Sequence, residues 1–147
     1  MRIAYSTRLG RLIHSKAEDA LSSSALKRYE GKVDLIFTSP PFPLNRKKKY
    51  GNLLGQKYVD WLAEFALKLR PFLKKRGSIV MEIGNAWEPG RPVMSTLSLR
   101  ALLSFLDRGK LLLCQQFIYF NPSRLPGPAQ WVKAFGDSEV GTKSSQG

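Results

Sequence analysis

Cysteine, histidine and acidic residues are all scarce in this chain of 147 residues. Cys114 is the only cysteine and His14 the only histidine, so an internal disulfide is excluded and a zinc site built from such ligands is not expected. Lysine and arginine outnumber aspartate and glutamate by 24 to 11, which gives a formal net charge of +13 at pH 7. This excess favours a polyanionic partner such as nucleic acid, although a solvated basic surface has the same charge.

Long apolar runs are also missing. No stretch is long enough to span a bilayer, and the N-terminus lacks the apolar region of a signal peptide, so we expect a soluble, cytoplasmic protein. The apolar run at residues 111–120 contains Cys114, where a buried thiol is expected rather than a reactive one.

What is present suits one folded domain, since the hydrophobic fraction is 43%. Ser15 and Glu18 form a capping-box pattern that predicts a helix running toward Leu26, which the serines at 22–24 could end early. Apolar spacing predicts a helix from residue 57 to about residue 70, and leucines ending at Gly109 mark another (Leu99, Leu102, Leu103, Leu106). Strands are predicted at residues 11–14, 33–37, 78–83 and 111–120.

Strands that alternate with helices predict an α/β fold with a largely parallel sheet covered on both faces, in the Rossmann-like class. The strand at 33–37 is mostly apolar, as a strand buried on both faces would be. The pattern stops near residue 133, and residues 134–147 are predicted to form a disordered or divergent tail.

The most informative motif is Ser39-Pro40-Pro41-Phe42, directly after the strand at 33–37. In an open α/β sheet, ligands collect at the carboxyl ends of the strands. The prolines leave backbone carbonyls unpaired, so the Pro40 carbonyl and the Ser39 hydroxyl could accept hydrogen bonds from an aromatic amine. Phe42 offers a stacking face for a base extruded from a duplex. Taken alone, the tetrapeptide also fits a proline-rich turn or a polyproline ligand.

The tetrapeptide resembles the catalytic motif of amino-group DNA methyltransferases, whose serine version belongs mainly to the cytosine-N4 enzymes. Three further segments resemble the PvuII-type cytosine-N4 methyltransferases of restriction–modification systems, namely residues 46–53, 58–61 and 120–126. The resemblance is collinear over about residues 11–132. It implies that residues 1–133 are the catalytic, target-base part of such a domain, with S-adenosylmethionine as cofactor and double-stranded DNA as partner.

The resemblance also implies site residues. Glu82, at the end of the next strand, is expected to hydrogen-bond Ser39 or the cofactor's cationic end, although the family usually has aspartate there. The second wall of the base pocket is expected at Tyr119, Phe120, Asn121 and Pro122. Phosphate contacts are expected from Arg46, Lys47, Lys48, Lys49 and Arg124, a solvated basic loop being the alternative.

The glycine-rich cofactor turn of the family is not found in this sequence, because in these permuted enzymes it follows the catalytic half. A second chain or a homodimer could supply the cofactor-binding half. The alternatives are an inactive DNA-binding remnant, one half of a split methyltransferase, and an adenine-N6 methyltransferase.

Overall fold

The computed structural model describes residues 1–42, 53–88 and 93–119. Four strands lie there: β1 (Arg2–Ser6), β2 (Arg11–His14), β3 (Val33–Thr38) and β4 (Leu73–Met81). The helices are α1 (Ala17–Leu21), α2 (Ser24–Lys27), α3 (Gly55–Leu69) and α4 (Leu97–Gly109), with a 3₁₀ turn at Arg70–Phe72. None of the helices in these ranges is long and apolar enough to cross a membrane.

The centre of the structure is a β3–α3–β4 unit with parallel strands. Leu35, Ile36, Phe37 and Thr38 lie beside residues 78–81 of β4 in continuous register. The predicted helix at 57–70 is confirmed as α3, and Pro71 falls within the 3₁₀ turn that leads into β4. The predicted strand at 78–83 is also confirmed, but it begins earlier, at Leu73, and ends at Met81.

The core lies between α3 and α4. Leu62, Ala66 and Ala101 are completely buried there, and burying such side chains supplies the main stabilisation of the fold. Small residues bring the two helices together, since a Cβ added at Gly109 would lie 3.0 Å from the Cβ of Ala66.

The predicted helix at α4 is confirmed, but its buried face does not follow the leucines. Leu97, Ala101, Phe105 and Gly109 are buried at a spacing of four residues, together with Ser98, whereas Leu99 and Leu103 are exposed. Gly109 is the last helical residue, and Lys110 adopts the left-handed cap conformation with φ 50°. Gly109 therefore serves close packing rather than the turn itself.

The β3–β4 sheet is covered on one face only within the described residues. Ile36, Ile79 and Met81 pack against the helical core. On the opposite face Leu35 is 55% and Phe37 72% exposed, and Val80 is exposed beside them. The prediction of a strand buried on both faces was therefore wrong for β3, because the described chain has no second layer on that side.

The predicted capping box was also wrong. Lys16, not Ser15, is the N-cap of α1, and it makes no side-chain cap hydrogen bond. The Glu18 carboxylate instead accepts a hydrogen bond of 2.9 Å from the Trp61 indole N–H on α3. A hydrogen bond from its own backbone amide and the bond from Trp61 lower the pKa of Glu18. The helix ends at Leu21, directly before the run of serines that was expected to weaken it, and α2 begins at Ser24.

Before α1 the chain forms an antiparallel hairpin of β1 and β2. The strand at 11–14 is confirmed, whereas β1 was not predicted, since its residues have no clear alternation.

The strand predicted at residues 111–120 was wrong for the part that is described. Residues 111–119 have no regular secondary structure, and residues 112–119 are exposed. Cys114 is correspondingly an exposed free cysteine, which corrects the expectation of a buried thiol. An apolar run becomes a strand only where a neighbouring strand takes its backbone hydrogen bonds, and no described strand pairs with this one. The predicted tail at 134–147 lies outside the described residues.

Candidate active site

The carboxyl ends of β3 and β4 lie side by side. Beyond the last paired residues, Thr38 and Met81, the backbone N–H of Glu82 donates a hydrogen bond of 3.0 Å to the Thr38 carbonyl. Ser39 and Glu82 are therefore the first residues past two hydrogen-bonded strand ends. This confirms that the strands expected to carry them are neighbours.

The tetrapeptide leaves the sheet with alternating exposure. Ser39 and Pro41 are exposed, whereas Pro40 is buried and Phe42 is half-buried. Proline has no N–H to donate and its φ is restricted, so the two prolines hold the backbone extended after β3. The buried ring of Pro40 anchors the loop, and the Ser39 side chain remains at the surface.

Glu82 is exposed like Ser39. Among the described residues, no hydrogen bond joins the Glu82 carboxylate to the Ser39 hydroxyl. The structure brings the two residues to one edge of the sheet but does not test the interaction that was expected between them.

The Phe42 ring packs directly against Gly84, two residues past Glu82. A Cβ added at Gly84 would lie 2.5 Å from Cδ2 of that ring and 2.7 Å from its Cγ. Real Cβ atoms are not found so close to other atoms, so only glycine leaves room for the ring at this position. The Gly84 side of the ring is thereby closed, and a base could stack only elsewhere on it.

The chain after Gly84 is held by a short backbone pairing. The Ser95 N–H donates to the Ala86 carbonyl, and the Glu88 N–H donates to the Val93 carbonyl, both at 2.8 Å. Ala86 and Ser95 are buried, and Ser95 comes just before α4. The loop that contacts the Phe42 ring is therefore linked through Ser95 to α4 and the helical core.

Sequence reasoning missed the part that Gly84 plays. The contact between Gly84 and Phe42 depends on how two loops meet, which no local sequence pattern reveals. Asp34 forms a surface ion pair of 2.7 Å with Lys74.

The remaining predicted site residues are not brought to the site by any described contact. Tyr119 is 85% exposed, and no ring contact within the described ranges joins it to Phe42. The other predicted pocket and phosphate-binding residues lie outside the described residues, namely Phe120, Asn121, Pro122, Arg46, Lys47, Lys48, Lys49 and Arg124.

A family model described as DNA methylase matches residues 33–132, which include β3, the tetrapeptide, β4 and α4. The chain belongs to this DNA methylase family. The match begins at β3, so the β1–β2 hairpin lies outside it.

Two comparisons with known proteins agree with the family. The type II methyltransferase M.PvuII of Proteus hauseri is 44% identical over 100 residues, covering 68% of this chain and 30% of the relative. The structure of the cytosine-N4-specific PvuII DNA methyltransferase matches with a TM-score of 0.56 over 70% of this chain and 36% of that one. The Rossmann-like methyltransferase fold is thus confirmed, and the chain spans about a third of the length of the relatives that it matches.

DNA methyltransferases use S-adenosylmethionine as methyl donor, and the described residues do not fit it. A cofactor of this size needs a turn in which glycine lets the backbone approach closely after a strand. Gly84 is the glycine that follows β4, and the Phe42 ring fills the space beside it. Within the described residues, the glycine after β4 therefore leaves no room for the cofactor.

Proposed function

We propose that this chain provides the target-base part of a cytosine-N4 DNA methyltransferase, acting on a cytosine extruded from duplex DNA. The observation that carries the proposal is the placement of Ser39, Pro40 and Glu82 at adjoining strand ends within the segment matched by the DNA methylase family. The matched structure is that of a cytosine-N4-specific DNA methyltransferase.

The chemistry asked of these residues is activation of a poor nucleophile. The lone pair of the cytosine amino nitrogen is delocalised into the ring, and acceptors against its hydrogens favour a tetrahedral nitrogen. The Ser39 hydroxyl and the Pro40 carbonyl are acceptors at the required edge. The exposed carboxylate of Glu82 can receive a proton through Ser39 or water.

Phe42 has the role of a stacking surface in this proposal, with Gly84 fixing the position of its ring. Extruding the base costs a few kcal/mol, which phosphate contacts must offset. We assign those contacts to Arg46, Lys47, Lys48, Lys49 and Arg124, and the second wall of the pocket to the segment from Tyr119 to Pro122. An enzyme that acts on cellular DNA in this way would work in the cytoplasm.

We also propose that the open face of the β3–β4 sheet receives the cofactor-binding half. Leu35, Phe37 and Val80 are exposed on that face, and the matched relatives extend over about three times the length of this chain. A second copy of this chain would add the same described residues, which lack a donor site, so a different polypeptide segment fits better than a homodimer.

Methyl transfer from labelled S-adenosylmethionine to unmethylated DNA tests the function. The chain is assayed alone and after addition of the part of M.PvuII that it does not match. Ser39→Ala is expected to abolish incorporation, whereas Ser24→Ala, at an exposed serine where α2 begins, should leave incorporation unchanged. Digestion of the DNA separates N4-methylcytosine from N6-methyladenine, and finding the adenine product would overturn the assignment of the base.

The second candidate is an inactive DNA-binding remnant, which the lack of a recognisable donor site among the described residues favours. The two are distinguished by cofactor binding, because only an active assembly binds S-adenosylmethionine. DNA binding without cofactor binding or methyl transfer, in the chain alone and with the added M.PvuII part, would establish the remnant.

A further inference from the structure

The β1–β2 hairpin lies before the segment that the DNA methylase family matches, and it contains cationic but no acidic side chains. Arg2, Arg8 and Arg11 belong to it, and the first acidic residue along the chain is Glu18, beyond its end. We propose that this hairpin is a separate DNA-contacting element that binds duplex phosphates through the three arginines. The inference rests on the proposed function only in taking duplex DNA as the ligand.

The strand register gives the hairpin one solvent-facing side. Residues that pair across an antiparallel ladder point to the same face, so the Arg2–His14 and Tyr5–Leu12 pairs share a face. All four of these side chains are exposed. The Ile3–Ile13 and Ser6–Arg11 pairs point the other way. This second face is turned toward the protein at the half-buried Ile13, whereas Arg11 lies exposed beside the turn.

A bulge makes this arrangement possible. Ile3 and Tyr5 would share a face in a regular strand, but the register shifts between them. The bulge therefore turns the Tyr5 ring outward, and Tyr5 is 65% exposed. The solvent-facing side thus combines a cation, an aromatic ring and an imidazole without a carboxylate.

The hairpin arginines form no ion pair with a carboxylate in the part of the chain that the structure describes. Within the described residues, Arg2, Arg8 and Arg11 make no side-chain hydrogen bond or ion pair, whereas Arg108 on α4 pairs with Glu64 at 2.9 Å. An unneutralised guanidinium keeps all of its donors for phosphate oxygens.

The turn places one arginine at the tip of the hairpin. The Thr7 hydroxyl accepts hydrogen bonds from the N–H groups of Leu9 and Gly10, and the Thr7 N–H donates to the Gly10 carbonyl at 2.8 Å. Arg8 lies inside this closed turn and is exposed. A two-stranded ribbon of this width fits the major groove of B-form DNA, where arginines at its tip and edge meet the phosphates on either side.

The test is the affinity of the full chain for a short fluorescent duplex, measured over a series of salt concentrations without cofactor. The variant Arg2→Gln/Arg8→Gln/Arg11→Gln is compared with Lys27→Gln/Lys75→Gln/Arg76→Gln, which removes the same charge from exposed positions elsewhere. Each lost phosphate contact should flatten the slope of log affinity against log salt by about 0.9, and the hairpin variant should bind at least roughly tenfold more weakly than the control variant.

Equal affinities and equal salt slopes for the two triple variants would overturn the proposal, because they would show only a general effect of charge. Circular dichroism melting establishes that both variants are folded. Since cofactor and methyl transfer do not enter the measurement, a hairpin effect in a chain that methylates nothing, even with the added M.PvuII part, would leave this inference standing and reject the enzyme. If the chain transfers methyl groups but the hairpin variant binds DNA as tightly as the control variant does, the enzyme assignment stands and the inference about the hairpin is wrong.

Discussion

The two faces of the β3–β4 sheet carry similar apolar side chains in different surroundings. Ile36, Ile79 and Met81 pack on the helical core, whereas Leu35 and Phe37 are more than half exposed on the opposite side. Alternation along a strand sends neighbouring residues to opposite faces, so both sets come from the same few residues of chain. Both faces of the sheet therefore have the apolar side chains of a buried element, but the described residues cover only the face that packs against the helical core.

The difference matters for the site, because Ser39 and Glu82 directly follow the strands whose outer face is open. Both residues are exposed, and no described element covers them. A reaction that depends on acceptors at developing charge is favoured when water is excluded. We infer that a segment that covers Phe37 and Val80 would also complete the surroundings of the proposed catalytic residues Ser39 and Glu82.

The largest difference is expected between a leucine in the helical core, on the covered side of the sheet, and a leucine on the exposed face. Leu62 is fully buried in α3, and Leu62→Ala is expected to lower the unfolding free energy by about 2–5 kcal/mol. Leu35→Ala should cost less than about 1 kcal/mol in the chain alone, because that side chain is already in contact with water. Urea denaturation followed by circular dichroism measures both.

A cost for Leu35→Ala as large as that for Leu62→Ala would mean that the outer face is covered in solution. The comparison becomes sharper when the rest of the fold is supplied by the unmatched part of M.PvuII. In that complex the cost of Leu35→Ala should rise, while that of Leu62→Ala should stay the same.

The parts of the fold that the sequence predicts are those governed by local periodicity. The apolar residues at helical spacing predict α3, and all of them are buried except Trp61, which is half-buried (Tyr58, Trp61, Leu62, Phe65, Ala66 and Leu69). The apolar segment at 33–37 predicts β3, and the order of the elements places Ser39 and Glu82 on neighbouring strands. These inferences need only the period of the structure and the direction of the chain.

The parts that could not be predicted depend on contacts between distant segments. Glu18 was expected to cap its own helix, but Trp61 on α3 binds its carboxylate. The apolar run around Cys114 has the pattern of a strand, yet a strand also needs a neighbour to pair with. The exposure of Leu35 is a further case, because alternation shows which residues share a face but not whether a second layer is present.

Gly84 contacts the Phe42 ring and lies on the loop that leads to α4. Its substitution should have the next largest effect on the unfolding free energy. Gly84→Ala forces the Phe42 ring or its loop to move, and we expect a loss of about 1–3 kcal/mol in unfolding free energy. Gly10→Ala is the matched control, since a Cβ at that position meets nothing within 4 Å. There alanine should be neutral or stabilising by up to about 1 kcal/mol, through the reduced freedom of the unfolded chain.

A double-mutant cycle separates this contact from other effects of alanine at position 84. In a Phe42→Ala background the ring is gone, and Gly84→Ala should cost clearly less than it does in the natural chain. Identical costs in the two backgrounds would show that the Phe42 ring does not occupy the space beside Gly84.

The smallest expected effect concerns a polar group inside the packed layer. The Tyr58 hydroxyl is buried and has no hydrogen-bond partner in the part of the chain that the structure describes. Burial raises the pKa of Tyr58 from its ordinary value of 10.0 to about 12. The folded state therefore favours the neutral phenol, and its contribution to stability is fully present below pH 10 and is lost as the pH rises toward about 12.

Tyr58→Phe removes both the orphaned hydroxyl and this titration. We expect the variant to be as stable as the natural chain at neutral pH or slightly more stable, since an unpaired buried hydroxyl is costly. Between pH 10 and 12 its unfolding free energy should fall less steeply than that of the natural chain. Tyr29→Phe, which removes a phenol hydroxyl at a 41% exposed position, is the matched control. If the unfolding free energies of Tyr58→Phe and Tyr29→Phe fall in parallel between pH 10 and 12, the Tyr58 hydroxyl is in contact with water. The helical core would then be accessible to solvent at this position, like the outer face of the sheet.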